Sequence, residues 1–176
     1  TILDEETKLT SNRGIYFMDL KKYRFTSNVK INDPEYQLKS QRLDYFTESD
    51  RAFFYGKTTI KGEEYQIYCE EGTYDTKLQK GNFKKNSIIF YNNKEIRGDS
   101  LYFENEINYA AATNNISIID TLNKSVINGH YGEIFKARDS AIITRRAMAI
   151  NIVDQDSLFI HADTLIATGP SEKRIL

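Results

Sequence analysis

The chain has 176 residues, enough for one domain with a sizeable core, and carries 24 basic against 25 acidic side chains. That balance excludes a global field aimed at nucleic acid or at an anionic membrane surface. A single cysteine, Cys69, excludes an internal disulfide framework. Apolar runs of no more than four residues exclude a membrane-spanning segment.

Read in chain order, one phrase keeps returning. Its first copy is anchored on Leu9, followed by Ser11, Gly14 and Tyr16, and then by Tyr23, Phe25 and Ile31. The second runs Leu38, Ser40, Leu43, Tyr45, then Ala52, Phe54, Ile60. The third runs Ile67, Cys69, Gly72, Tyr74, then Gly81, Phe83, Ile89. In the fourth stand Ile96, Gly98, Leu101, Phe103, then Ala110, Ala112, Ile118. The fifth has Ile127, Gly129, Gly132, Ile134, then Ala141, Ile143, Ala149; the sixth has Ile160, Ala162, Leu165 and Ala167 without a second half. The anchors are spaced 29, 29, 29, 31 and 33 residues apart. A repeat of this length is the mark of a stacked array.

Within a copy the apolar positions lie two apart, the strand period. Between the small residue and the Gly or Leu the step is three, which requires a bulge or bend in the first strand. The connecting stretches, such as "FTESDR" and "DTKLQK", are polar. Each copy therefore reads as strand, turn, bent strand, turn, and six copies predict an all-β array of about a dozen strands without a long helix. The extra residues of the later copies fall in "IDTLNKSV" and "NIVDQDSLF", where loops are expected to absorb them. The alternation of Gly14, Leu43, Gly72, Leu101, Gly132 and Leu165 predicts interior packing in which a large side chain fills the space its neighbour leaves. Spacing alone fits an antiparallel meander or a parallel β-helix.

Residues for catalysis do not converge. His130 and His161 fall at different phases of the repeat, and Glu133 beside His130 lacks a third ligand partner. Cys69 occupies the small-residue column, as a packing residue would. Asn115 and Asn123 match a glycosylation sequon, and Arg145 with Arg146 forms a small basic spot. A polysaccharide-processing enzyme on such an array needs clustered outer carboxylates, and Glu70 with Asp99 is the sole acidic pair in adjacent copies. The chain reads as a non-enzyme, with no cofactor and no metal.

The phrases "IRGDSLYF", "LKSQRLDYF" and "FIHADTL", alternating with "RAFFYGKTTI" and "KYRFTSNVKI", resemble the OstA-like family of lipopolysaccharide transport, in which stand LptA and the amino-terminal domain of LptD. The resemblance covers essentially the whole chain, so residues 1–176 are expected to form a single OstA-like repeat domain. It implies a partly open antiparallel β-jellyroll, folded like a taco around an apolar groove that carries lipopolysaccharide acyl chains toward the outer membrane. Leu38, Phe54, Ile67, Phe83, Ile96, Leu101, Phe103 and Ile127 are the expected groove residues. The expected partners are lipopolysaccharide or a similar glycolipid, and OstA-like domains or further copies of the chain joined end to end; nucleic acid is not among them. The periplasm is the compartment the family implies. The chain starts inside a copy with Thr1, so it reads as a segment of a longer chain. A structural or carbohydrate-binding β-solenoid with a self-filled core remains the alternative.

Overall fold

The structure, a computed structural model, describes residues 2, 3, 7–91, 93–138, 140–153 and 156–168. Among them are thirteen strands and one 3-10 turn. The chain forms two compact units, Thr1–Ser87 and Ile88–Leu176.

The first unit holds β1 (Ile2–Leu3), β2 (Lys8–Thr10), β3 (Arg13–Phe17), β4 (Lys22–Asn32), β5 (Gln37–Phe46), β6 (Arg51–Lys61), β7 (Tyr65–Asp75) and the opening of β8 (Lys80–Tyr91). Their order is β1-β2-β4-β5-β6-β7-β8, with β3 also paired to β4. The second unit holds the end of β8, then β9 (Lys94–Glu104), β10 (Tyr109–Asp120), β11 (Ser125–Phe135), β12 (Ser140–Val153) and β13 (Asp156–Thr168), paired in sequence order. The 3-10 turn Lys136–Arg138 links β11 to β12. Consecutive strands from β4 to β7 and from β9 to β13 pair antiparallel, which removes the parallel β-helix.

The polar stretches make short turns. Phe17↔Lys22, Phe46↔Arg51 and Glu104↔Tyr109 each close a four-residue loop whose last residue, Lys21, Asp50 or Asn108, has positive φ. Adjacent turns are stitched together: Thr47 donates both its backbone N–H and its hydroxyl to the Lys21 carbonyl, and Thr76 does the same to Asp50.

The expected bend is present, and it occupies both strands of a copy. In the first copy the opening strand is broken at Ser11–Asn12 into β2 and β3. In the second strand of that copy, Ser27 and Asn28 both take positive φ, 60° and 54°, and together oppose the single residue Gln41. Asn114–Asn115 oppose His130 in the same way, and Arg145–Arg146 oppose Asp163. Lys85–Asn86 repeat the left-handed pair in β8. Consecutive left-handed residues are unfavourable for anything but glycine, least so for asparagine. They persist because two residues against one turn the strand sharply. At Gly56 (φ 75°) a side chain would also run into the Gln41 amide, so glycine meets both demands.

The extra residues of the fifth copy do not form a longer loop. They lengthen the β12–β13 hairpin, whose pairing continues past Ala149↔Ile160 to Val153↔Asp156. This extension leaves Ile152, Leu158 and Phe159 exposed.

Candidate functional site

Register places the sequence columns in rows that cross the strands on one face. In the first unit Gly14, Phe25, Leu43, Phe54 and Gly72 are successive partners. In the second unit Leu101, Ala112, Gly132, Ile143 and Leu165 form the same row. The alternation of large and absent side chains is complementary packing. A Cβ on Gly72 would sit 3.2 Å from the Phe83 ring, and one on Gly14 3.4 Å from Phe25. The anchors form a second row: Leu9, Ile31, Leu38, Ile60 and Ile67 in one unit, Ile96, Ile118, Ile127, Ala149 and Ile160 in the other.

The bend brings the ends of β7 toward each other. Tyr65 and Tyr74 lie at the two ends of β7, which in a straight strand are about 30 Å apart. Here Tyr74 is within electrostatic reach of Tyr65 and Tyr36, and Tyr36 of Tyr45. The two limbs of the strand thus meet at a tyrosine rim. Burial, with neighbouring acidic and phenolic groups, pushes Tyr36 and Tyr74 up to about 12, so both stay neutral. Tyr45 meets the cost of burying its hydroxyl by donating to Asp50 Oδ1 at 3.1 Å.

At the crease the first-strand column is held to small residues. The Cys69 Sγ lies 3.3 Å from where a Gly72 Cβ would be, and Gly98 is similarly 3.1 Å from Leu101. At Gly129 a Cβ would overlap the Ile143 side chain outright. Two polar residues in the crease bond to the bend itself: Ser40 and Thr58 are 2.8 Å apart, Ser40 donates to the Arg42 carbonyl and Thr58 to that of Gly56, whereas the buried Ser87 hydroxyl has no hydrogen-bond partner among the described residues. A further column, Val29, Thr58, Ser87, Ile116 and Ala147, is buried here, and the sequence reading missed it. Its residue types share no hydropathy. Val29, Ser87, Ile116 and Ala147 each stand directly after a left-handed pair, which asparagines at 28, 86 and 115 mark, whereas Thr58 follows the single left-handed Gly56 by two residues.

The expected groove residues divide between the units. Leu38, Phe54, Ile67 and Phe83 belong to the first and are buried, Phe54 with 1% and Phe83 with 0% of its surface exposed. Ile96 and Leu101 are buried in the second, whereas Phe103 and Ile127 are half-buried. Phe103 stands in the row next to the rim, Ile127 in the anchor row. In the first unit the row next to the rim reads Tyr16, Tyr23, Tyr45, Ala52, Tyr74, with Tyr16 and Tyr23 packed at 4.4 Å between ring centroids. In the second it reads Phe103, Ala110, Ile134, Ala141, Ala167, all half-buried and without a tyrosine. In the first unit the row carries tyrosine rings, with Tyr16 exposed and Tyr23, Tyr45 and Tyr74 half-buried. The second unit has shorter side chains along an accessible row.

Several of the polar residues singled out in the sequence have structural partners. Cys69 is fully buried, and burial pushes its thiol up to about 12, which leaves it unreactive. Glu133 accepts from Tyr109 at 2.6 Å and Tyr131 at 3.0 Å. Asp99 accepts from the Asn115 amide, and Glu70 from Tyr68. Asn123 bonds to Asp120 within its turn. Among the described residues no group of three or more His, Cys, Asp or Glu gathers around a metal position.

Comparison with known proteins gives three findings. The family model of OstA-like protein matches residues 1–41. Among solved structures, the chain is similar to LptH, described as the LptA homologous periplasmic component of the conserved lipopolysaccharide transport device from Pseudomonas aeruginosa. The likeness has 8% identity and a TM-score of 0.35, over 88% of this chain and 93% of that one. No curated protein matches.

Proposed function

We propose that this chain, OstA-like over residues 1–41, is a non-enzymatic periplasmic module that holds acyl chains of lipopolysaccharide or a similar glycolipid against the apolar face of its second unit. The carrying observation is the accessible row Phe103, Ala110, Ile134, Ala141 and Ala167, which lies beside the fully buried row of Leu101, Ile143 and Leu165. A strip of small and aliphatic side chains above a rigid floor suits a flexible hydrocarbon, and each buried methylene contributes about 0.8 kcal/mol. Protein purified from its native envelope is expected to retain glycolipid detectable by mass spectrometry. Ala110→Trp, which fills the strip, is expected to lose it while keeping the strand circular dichroism. Equal retention by both proteins would sink the proposal.

A second reading, a structural module with a self-filled core, is favoured by the first unit, where Leu43, Phe54 and Phe83 are sealed under the tyrosine rim. The same comparison separates the two, because a self-filled module retains no lipid in either form.

The bridging role rests on β13. Among the described strands it has one neighbour, β12, and it offers thirteen residues of edge. Exposed Leu158 and Phe159 lie on it; Pro170, a candidate edge-blunting residue, lies outside the described residues. Such an edge is a template for strand addition by a second copy or another OstA-like domain. Phe159→Glu is expected to weaken self-association in sedimentation without altering the monomer. An unchanged distribution of species would remove the bridging half of the proposal.

A further inference from the structure

The face of β4–β6 opposite the apolar rows carries a charge asymmetry that the net charge of −1 conceals. It presents Lys22, Arg24, Lys30, Lys39, Arg42, Arg51, Lys57 and Lys61 by register, against one acid, Asp44. Asp44 is already committed to Lys22, Arg24 and Arg42, and Arg51 is drawn to Asp75. Lys30, Lys39 and Lys57 form no ion pair among the described residues, and all three are exposed.

These three line one hollow of about 550 Å³, together with Ser27, Asn28 and Thr59, and no carboxylate borders it. Lys30 and Lys39 are direct cross-strand partners, an arrangement of like charges that destabilises a sheet when nothing neutralises it. The repeat does not ask for lysine at either place. Where Lys30 stands, the other copies have Thr59, Ile88, Ser117 and Met148; where Lys39 stands, they have Thr10, Tyr68, Arg97, Asn128 and His161. The hollow is open to solvent, and the neutral donors of Ser27, Asn28 and Thr59 can supply hydrogen bonds beside the charges.

We infer that this hollow binds a compact phosphate-bearing anion, with Lys30, Lys39 and Lys57 as its cationic contacts. The site is on the outer face of the first unit, so it stands or falls separately from lipid binding in the second. The lysines act as point charges on mobile stems, which suits phosphate groups of varied geometry.

The test is calorimetric titration with inorganic pyrophosphate at low ionic strength, beside flotation with phosphatidylglycerol and with phosphatidylcholine vesicles. The wild-type protein is expected to bind pyrophosphate, the phosphatidylglycerol vesicles or both, and to ignore phosphatidylcholine. Pyrophosphate binding assigns a soluble phosphate ligand; binding to the anionic vesicles alone assigns a lipid headgroup, and each supports the site. Lys39→Glu is expected to weaken the interaction about tenfold or more, while Lys84→Glu, an equal charge change on β8 away from the hollow, leaves it within about twofold. Lys57→Gln provides a milder second variant should Lys39→Glu lose its strand circular dichroism. Absence of binding to either probe, or equal weakening by Lys39→Glu and Lys84→Glu, would overturn the inference.

Discussion

Phe83→Ala is expected to lower the unfolding free energy by about 3–5 kcal/mol, read as a fall in the urea midpoint. The ring is fully buried, and it occupies the space of two missing side chains: a Cβ at Gly72 would lie 3.2 Å from its Cδ1, and one at Gly81 2.9 Å from its Cζ. Neither glycine has atoms with which to collapse into the cavity, which places the cost high in the range for such truncations. Leu78→Ala is the contrast. Leu78 sits exposed in the turn after β7, and its truncation is expected to shift stability by no more than about 0.5 kcal/mol. Comparable losses from the two variants would mean that the Gly–Phe complementarity does not hold the first unit together.

The second large effect is electrostatic. Asp44 is 2% exposed, accepts paired bonds from Arg24 at 2.9 and 2.7 Å and from Arg42 at 3.2 Å each, and faces the Lys22 ammonium at 3.4 Å. Burial pushes its carboxyl upward, but the hydrogen bonds from Arg24 and Arg42 outweigh that and hold it at about 2. The folded value is below the unfolded one, so the stabilisation is fully present above the ordinary aspartate range. It is lost as pH falls toward 2. It amounts to about 2 kcal/mol. Asp44→Asn is expected to remove about that much at neutral pH, with the half-exposed arginines turning to water and the buried Lys22 left without its counter-ion. In acid denaturation the wild type should lose this increment on acidification and the variant should not. A variant with the wild-type acid profile would show that the knot contributes nothing.

The fold was legible in the sequence because its apolar columns are also its structural rows. Leu38 pairs with Ile31 and Ile60, and Leu43 with Phe25 and Phe54, as period-two spacing requires. The three-residue step after the small column revealed the bend in the first strand. The bend in the second strand stayed hidden because only asparagine recurs in its left-handed pairs, at 28, 86 and 115, and even that is replaced by arginine in Arg145–Arg146. Charge segregation was hidden for a different reason. Net charge sums over both faces, whereas Lys30, Lys39 and Lys57 converge only once register sets β4, β5 and β6 side by side. The division of the expected groove residues into buried and half-buried sets follows mainly which row they occupy: Phe103 stands in the row next to the rim, whereas Leu38, Ile67, Ile96, Phe54 and Leu101 stand in the rows below it.

The central claim is that acyl chains lie along the accessible row of the second unit. It is tested most directly by a photo-crosslinking amino acid placed at half-buried Phe103, with a second protein carrying it at exposed Arg97 on the opposite face of β9. The account predicts that, in envelopes containing lipopolysaccharide, light attaches the glycolipid at position 103 and not at 97. Labelling of equal strength at both positions, or none at 103 in a folded protein, would contradict it.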